Sequence, residues 1–242
     1  MLFKNKRAKL LRFIDNLKIR VLLTRYLLDT PRLDYQPLPW IGISKASVRG
    51  KETIDRWNSI KNNLNNSKNL KDIGCCVGYF CHSAVSELDI RAFGYDLNDN
   101  FIFIANHAKK FLKNSEKETF CQLKIDPKSV KFLPTTDATL LLSIWHHWVL
   151  NFGLDEATSM LREVWKKTEK VLFFESGEEE VLQEFKLPSS TDAKFSIWLK
   201  NYLTKTLDDS RVNIISTHKA GSYDHYKKKG QERSLFCISR NG

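Results

Sequence analysis

The sequence predicts an α/β fold: a seven-stranded mixed sheet, mostly parallel, with helices on both faces and an N-terminal helical extension. Three observations carry this prediction. From residue 69 short apolar runs alternate with stretches of helical period, which is the pattern of βαβ units. A glycine-punctuated loop separates the first run from the first of those helices. After residue 190 a helix and two further strands follow, which brings the strands to seven.

Taken in order, residues 1–30 are dense in Lys and Arg. Leu10, Ile14, Leu17, Val21 and Leu28 recur at spacings of 3, 4 and 7, while Lys9, Arg12, Asn16 and Arg20 fall on another face. This is an amphipathic basic helix, suited to an anionic membrane surface, to a partner, or to its own domain. Pro31, Pro37 and Pro39 end it and begin an extended linker. Thr53–Leu64 reads as a second helix carrying Ile54, Trp57, Ile60 and Leu64, and the Asn-rich run 62–67 as a turn. The strands are expected at 70–73, 91–96, 120–123, 138–144, 171–175, 211–216 and 235–239. Helices are expected at 79–88, 101–112, 154–167 and around 195–203. Residues 1–66 thus form an extension and linker, and residues 67–242 the α/β domain.

A chain of 242 residues holds one large domain plus a short extension. With 42% hydrophobic and 28% charged residues it is expected to be globular. Its apolar stretches, such as Thr139–Trp145, fall far short of the ~20 residues that cross a bilayer. The basic start is followed by no uninterrupted apolar segment, so no signal peptide is expected. The five cysteines, Cys75, Cys76, Cys81, Cys121 and Cys237, are odd in number and form no C-x-x-C knuckle. A reduced, cytoplasmic setting and no metal are the expectations. The net charge of +11 draws phosphate, whether on nucleic acid, lipid or substrate, or simply keeps the protein soluble.

The most informative run is Asp72-Ile73-Gly74-Cys75-Cys76-Val77-Gly78-Tyr79-Phe80. Gly74 lets the chain turn at the strand end, and Gly78 allows close approach at the helix start, where main-chain amides can face a ligand. Asp96 ends the next strand, 22 residues after Gly74, where a carboxylate accepts both hydroxyls of a ribose. The spacing is G-x-x-x-G rather than G-x-G-x-x-G. Asp72 ahead of it is badly placed for pyrophosphate and well placed for a ligand carrying positive charge. A dinucleotide-binding dehydrogenase is therefore the weaker reading, and a ligand-free crossover the structural alternative.

On these residues the chain resembles class I S-adenosylmethionine-dependent methyltransferases, whose Rossmann-like domain is the fold expected here. Lys71–Cys75 is similar to their first motif, Gly94-Tyr95-Asp96 to their second, and Thr136–Ser143 to their fourth strand; Cys76 stands where a middle glycine is usual. The resemblance implies that Gly74, Cys75, Gly78, Tyr79 and Ser143 line the cofactor and that Asp96 holds its ribose. It further implies that Asp72 orients the loop or the cofactor amine, and that Leu97 and Gln122 meet adenine. A narrower resemblance runs through Trp40, Arg49, Arg56-Trp57, Ser143–Trp148, Gly153–Ala157, Phe173–Glu175, His218 and Arg233–Phe236. It points to methyltransferase domains of bacterial lipopolysaccharide and polysaccharide biosynthesis, some of which methylate a sugar or a terminal phosphate.

The expected chemistry is methyl transfer to an oxygen of a small or glycan-linked acceptor. A sulfonium donor is already activated, so the protein aligns and desolvates the nucleophile. A hydroxyl also needs a base, whereas a phosphate oxygen needs cations that hold it. His146, His147 and Glu175, on the rim after strands four and five, are the catalytic candidates; each has an ordinary packing or solvated role as its alternative. Arg49, His218 and Arg233 are the substrate-binding candidates. RNA methylation is the second enzymatic reading, favoured by charge but without an Asn-Pro-Pro-Tyr motif after strand four or an appended RNA-binding module. A non-catalytic cofactor-binding scaffold is the third. Peripheral contact with anionic membrane through residues 1–28 is the expected partner surface.

Overall fold

The computed structural model describes residues 17–24, 36–42, 48–176, 193–219 and 232–241. The strands are β1 (Asn69–Ile73), β2 (Arg91–Asp96), β3 (Glu118–Gln122), β4 (Thr136–Leu142), β5 (Thr168–Glu175), β6 (Ser210–Lys219) and β7 (Glu232–Arg240). They form one sheet in the order β3-β2-β1-β4-β5-β7-β6. Strands β1 to β5 pair in parallel, and β7 runs antiparallel between β5 and β6. The helices are α1 (Val48–Lys61), α2 (Tyr79–Leu88), α3 (Asp99–Ala108), α4 (Trp145–Phe152), α5 (Leu154–Lys166) and α6 (Ala193–Thr206).

Strand alternation splits the core into two layers. Leu141, Leu172, Phe174, Phe236 and Ile238 face one side and pack with buried residues of α4, α5 and α6, including Trp145, Met160 and Leu199. Leu140, Leu142, Phe173, Leu235 and Cys237 face the other and meet Trp57 and Ile60 of α1 and Phe80 and Val85 of α2. Two buried positions of β1, Lys71 and Asp72, break the apolar rule. Lys71 threads its Nζ to the Pro134 carbonyl (3.1 Å), Thr136 Oγ1 (3.1 Å) and the Lys167 carbonyl just past α5 (2.5 Å). All three ammonium donors are thereby matched, while burial pulls the pKa down to about 7.

Several boundaries differ from the sequence reading. The run around His146 and His147 is the first turn of α4 rather than a loop. Strand β4 stops at Leu142 because Ser143 turns into the left-handed region (φ 58°). The segment after Pro37 is no simple extended linker: Pro39–Ile41 forms a 3-10 turn, and Leu38 is fully buried. Of the basic helix, residues 17–24 are helical, and its other predicted residues lie outside the described ones.

Candidate active site

The β1–α2 loop contains three left-handed residues, Gly74 (φ 79°), Cys76 (φ 52°) and Gly78 (φ 86°). Gly74 and Cys75 both donate their N–H to the Tyr95 carbonyl (2.7 and 3.0 Å), which fastens the loop to the end of β2. The Gly78 N–H closes it on the Cys75 carbonyl at 2.9 Å. A Cβ on Gly74 would lie 2.1 Å from Ile144 Cδ1, and one on Gly78 would lie 2.7 Å from the Phe120 ring. Both glycines are therefore required by space as well as by φ. Cys76, in the place of a third glycine, takes the same backbone region at a cost of about 1 kcal/mol or more.

Two carboxylates flank this loop. Asp96 accepts from the Cys76 N–H through Oδ2 (2.9 Å) and from the Asn98 N–H through Oδ1 (2.8 Å). These bonds aim it while leaving a lone pair on each oxygen. Burial raises its pKa and the backbone bonds oppose that rise. Asp72 is buried at the end of β1, and its Oδ2 has no hydrogen-bond partner among the described residues. Burial first, and then the charge of Asp96, push Asp72 up to about 8, with Arg56 pulling the other way. An orphaned buried carboxyl beside a second one is a site that gains from a cationic ligand.

Around this loop the remaining predicted cofactor residues are distributed unevenly. Leu97 is 70% exposed, and Gln122, also exposed, donates Nε2 to the Leu97 carbonyl at 3.3 Å, so the two share one edge beyond Asp96. The Cys75 thiol is fully buried and both its backbone groups are used within the fold, so its contribution is to loop shape. The Tyr79 N–H is taken by Gln36 Oε1 at 3.1 Å, and its ring packs against Trp40.

A second cluster lies at the carboxyl ends of β4 and β5. Glu175 Oε1 accepts from Arg56 Nη1 (3.1 Å) and from Ser143 Oγ (2.8 Å). Arg233 Nη1 donates to Ser143 Oγ at 3.2 Å and stands 3.9 Å from the same carboxylate oxygen. Three elements thus converge on one buried carboxylate of β5: α1, the end of β4 and β7. The solvated strand end that serves as the alternative for Glu175 is ruled out, since its side chain is 0% exposed. His146 is buried in the first turn of α4 with its ring 4.2 Å from that of His147, which is exposed. Burial, then His147 and Arg233, hold its pKa well below the ordinary value, so it is a neutral imidazole at pH 7.

The two clusters adjoin: Ile144 packs on Gly74, and the charge of Arg56 reaches Asp72. Register places His218 opposite Arg233, on the same rim. Arg49 lies on α1, whose buried Arg56 joins the cluster. Sequence reasoning did not place Arg56 or Gln36 in the site. Arg56 had a usable signal, since the spacing of Thr53 and Arg56 sets them one turn apart and the two do bond at 3.1 Å.

No family model and no curated protein matches the chain by sequence. Solved structures match it by fold. The bifunctional kinase-methyltransferase WbdD superposes with a TM-score of 0.60 at 17% identity, over 92% of this chain and 46% of that one. The chain therefore spans about half the length of WbdD. Magnesium protoporphyrin IX methyltransferase (ChlM) from Synechocystis PCC 6803 with bound SAH gives 0.54 at 13% identity, over 84% of this chain and 91% of that one. The methyltransferase domain of bacterial CtHen1 gives 0.53 at 14%, over 77% and 98%. Together with the strand order and the β1–α2 loop, these similarities show that the chain has the Rossmann-like fold of class I methyltransferases.

Proposed function

We propose that the protein is an S-adenosylmethionine-dependent methyltransferase acting on an oxygen nucleophile of a small or glycan-linked acceptor. The observation that carries this reading is the pair Asp72 and Asp96 around the left-handed loop. One carboxyl is buried with an oxygen that has no partner among the described residues, and the other is aimed by two backbone amides. The first suits a positively charged amino-acid moiety and the second a ribose diol, with Leu97 and Gln122 beside it for the adenine edge. When bound, the cofactor supplies an electrophilic methyl group.

The chain's own residues define what sits opposite. Arg56 and Arg233 both reach Glu175, and guanidiniums at this rim suit an acceptor bearing a negative group. Glu175 holds the two guanidiniums and Ser143 in place, which makes it a positioning residue. His146, neutral and next to this cluster, is the group able to take the proton of a hydroxyl acceptor; an ionised acceptor needs no such step.

Asp96→Ala tests the reading directly. Calorimetric affinity for S-adenosylmethionine should fall at least tenfold, about 1.4 kcal/mol or more. An unchanged affinity in a folded variant would remove the cofactor assignment. Mass spectrometry of candidate glycan and phosphorylated acceptors, incubated with isotopically labelled donor, then identifies the methylated atom.

A further inference from the structure

The helix at residues 17–24 has two apolar sides, and only one of them is used by the fold. Ile19 and Leu22 are buried against Cys76 and Val77 of the β1–α2 loop and Ile104 and Ala108 of α3. Leu17 and Val21, one turn apart on the opposite side, are 55% and 47% exposed. Both belong to the stripe that sequence periodicity picks out. At these two described positions the stripe is therefore not the surface the domain consumes. Exposed Lys18 and Arg20 border it, with Lys18 Nζ also lying 4.4 Å over the Phe103 ring.

From this two-sided arrangement we infer that the helix docks the protein on an anionic lipid bilayer through Leu17 and Val21. The inference stands apart from the methyltransferase reading. Charge selects the occupant. Residues 1–28 carry eight lysines and arginines against one aspartate, in a chain of net charge +11. Two copies of such a surface repel each other, which argues against self-association. Two exposed aliphatic side chains also fall far below the ~1,000 Å² that a stable protein interface buries. They are sufficient for a reversible contact with a bilayer when basic residues beside them reach anionic headgroups. The inward side sits on the β1–α2 loop, so bilayer contact brings the candidate cofactor loop to the membrane surface.

The test uses the full chain and vesicles of phosphatidylcholine with or without phosphatidylglycerol, read by flotation. Wild type should float with the anionic vesicles at low salt, much less at high salt, and not with phosphatidylcholine alone. Leu17→Glu with Val21→Glu, and separately Arg20→Glu, should each lower partitioning, the double change by about tenfold or more. All three positions are exposed, so circular dichroism should be unchanged, and calorimetry with S-adenosylmethionine reports separately on the cofactor reading. Equal binding to neutral vesicles, wild-type partitioning by the double variant, or no flotation of wild type would each overturn the inference. So would a dimer in light scattering that the double variant abolishes, which would assign the stripe to a second copy.

Discussion

Asp72 sits beneath the cofactor loop with Asp96 as a like-charged neighbour and Arg56 as its only opposing charge among the causes of its shift. Its carboxyl keeps its proton up to about pH 8, against 3.8 for an ordinary aspartate. The folded state therefore holds a proton that the unfolded chain releases across this window. The stability this group contributes is complete at acid pH and is lost as pH rises through 8. Asparagine keeps the neutral form at every pH. Asp72→Asn should thus raise the melting temperature at pH 8 by about 2 °C or more, with the gain shrinking toward pH 4. Scanning fluorimetry across that range checks it, and a gain independent of pH would mean that Asp72 is ionised in the fold. The same substitution should weaken S-adenosylmethionine, because a ligand cation is what would draw the proton off. Glu175 behaves oppositely. It is a buried carboxylate that faces the buried guanidinium of Arg56 and the partly buried one of Arg233, so Glu175→Gln should destabilise the protein by about 3 kcal/mol or more in urea titrations. A loss of turnover at undiminished stability would instead give Glu175 a direct chemical role.

At the level of elements, Gly78 of the β1–α2 loop and Gly42 at the end of the 3-10 turn separate backbone strain from crowding. Gly78 (φ 86°, ψ 17°) and Gly42 (φ 79°, ψ 8°) share the left-handed region, but a Cβ on Gly78 would meet the Phe120 ring while one on Gly42 would meet nothing within 4 Å. Alanine at 42 should cost about 1 kcal/mol from backbone conformation alone, and alanine at 78 about 2–3 kcal/mol, from chemical denaturation of the two variants. Equal costs would show that Phe120 moves aside freely. This loop was legible in the sequence because its glycines stand between a strand and a helix and an aspartate ends the next strand. The His146 region was not. Trp145-His146-His147-Trp148-Val149 is a short apolar and aromatic run, which periodicity alone cannot assign to strand or helix. The residue that decides is Ser143, whose left-handed φ ends β4 and is held by its bonds to Glu175 and from Arg233, 32 and 90 positions away. Contacts so distant in sequence leave no local pattern. The same holds for the Arg56–Glu175 pair, with 119 positions between its members. The outward side of the 17–24 helix was legible as a stripe, but which side the domain would cover was not.

Across the whole molecule, the number of strands and their mostly parallel character follow from alternation along the chain, while the position of the last strand comes from tertiary pairing. β7 ends the described chain yet lies inside the sheet, between β5 and β6. Its side chains enter both core layers: Phe236 and Ile238 join α4, α5 and α6, whereas Leu235 and Cys237 join α1 and α2. It also carries Arg233 to the Ser143–Glu175 cluster. Ending the chain after residue 231 should therefore abolish folding, although a short terminal segment is all that is lost. Four buried apolar side chains at ~1.5–3 kcal/mol each amount to about 6–12 kcal/mol. That is comparable with the ~5–15 kcal/mol by which a domain of this kind is stable at all. The loss also uncovers the ladders of β5 and β6, whose unpaired N–H and C=O groups invite edge-to-edge association. The truncated chain should be insoluble on expression or, if recovered, show no cooperative thermal transition by circular dichroism. A soluble truncation that melts cooperatively near the full-length temperature would mean that β5 and β6 can close the sheet without β7. The proposed acceptor site would then need a cation other than Arg233.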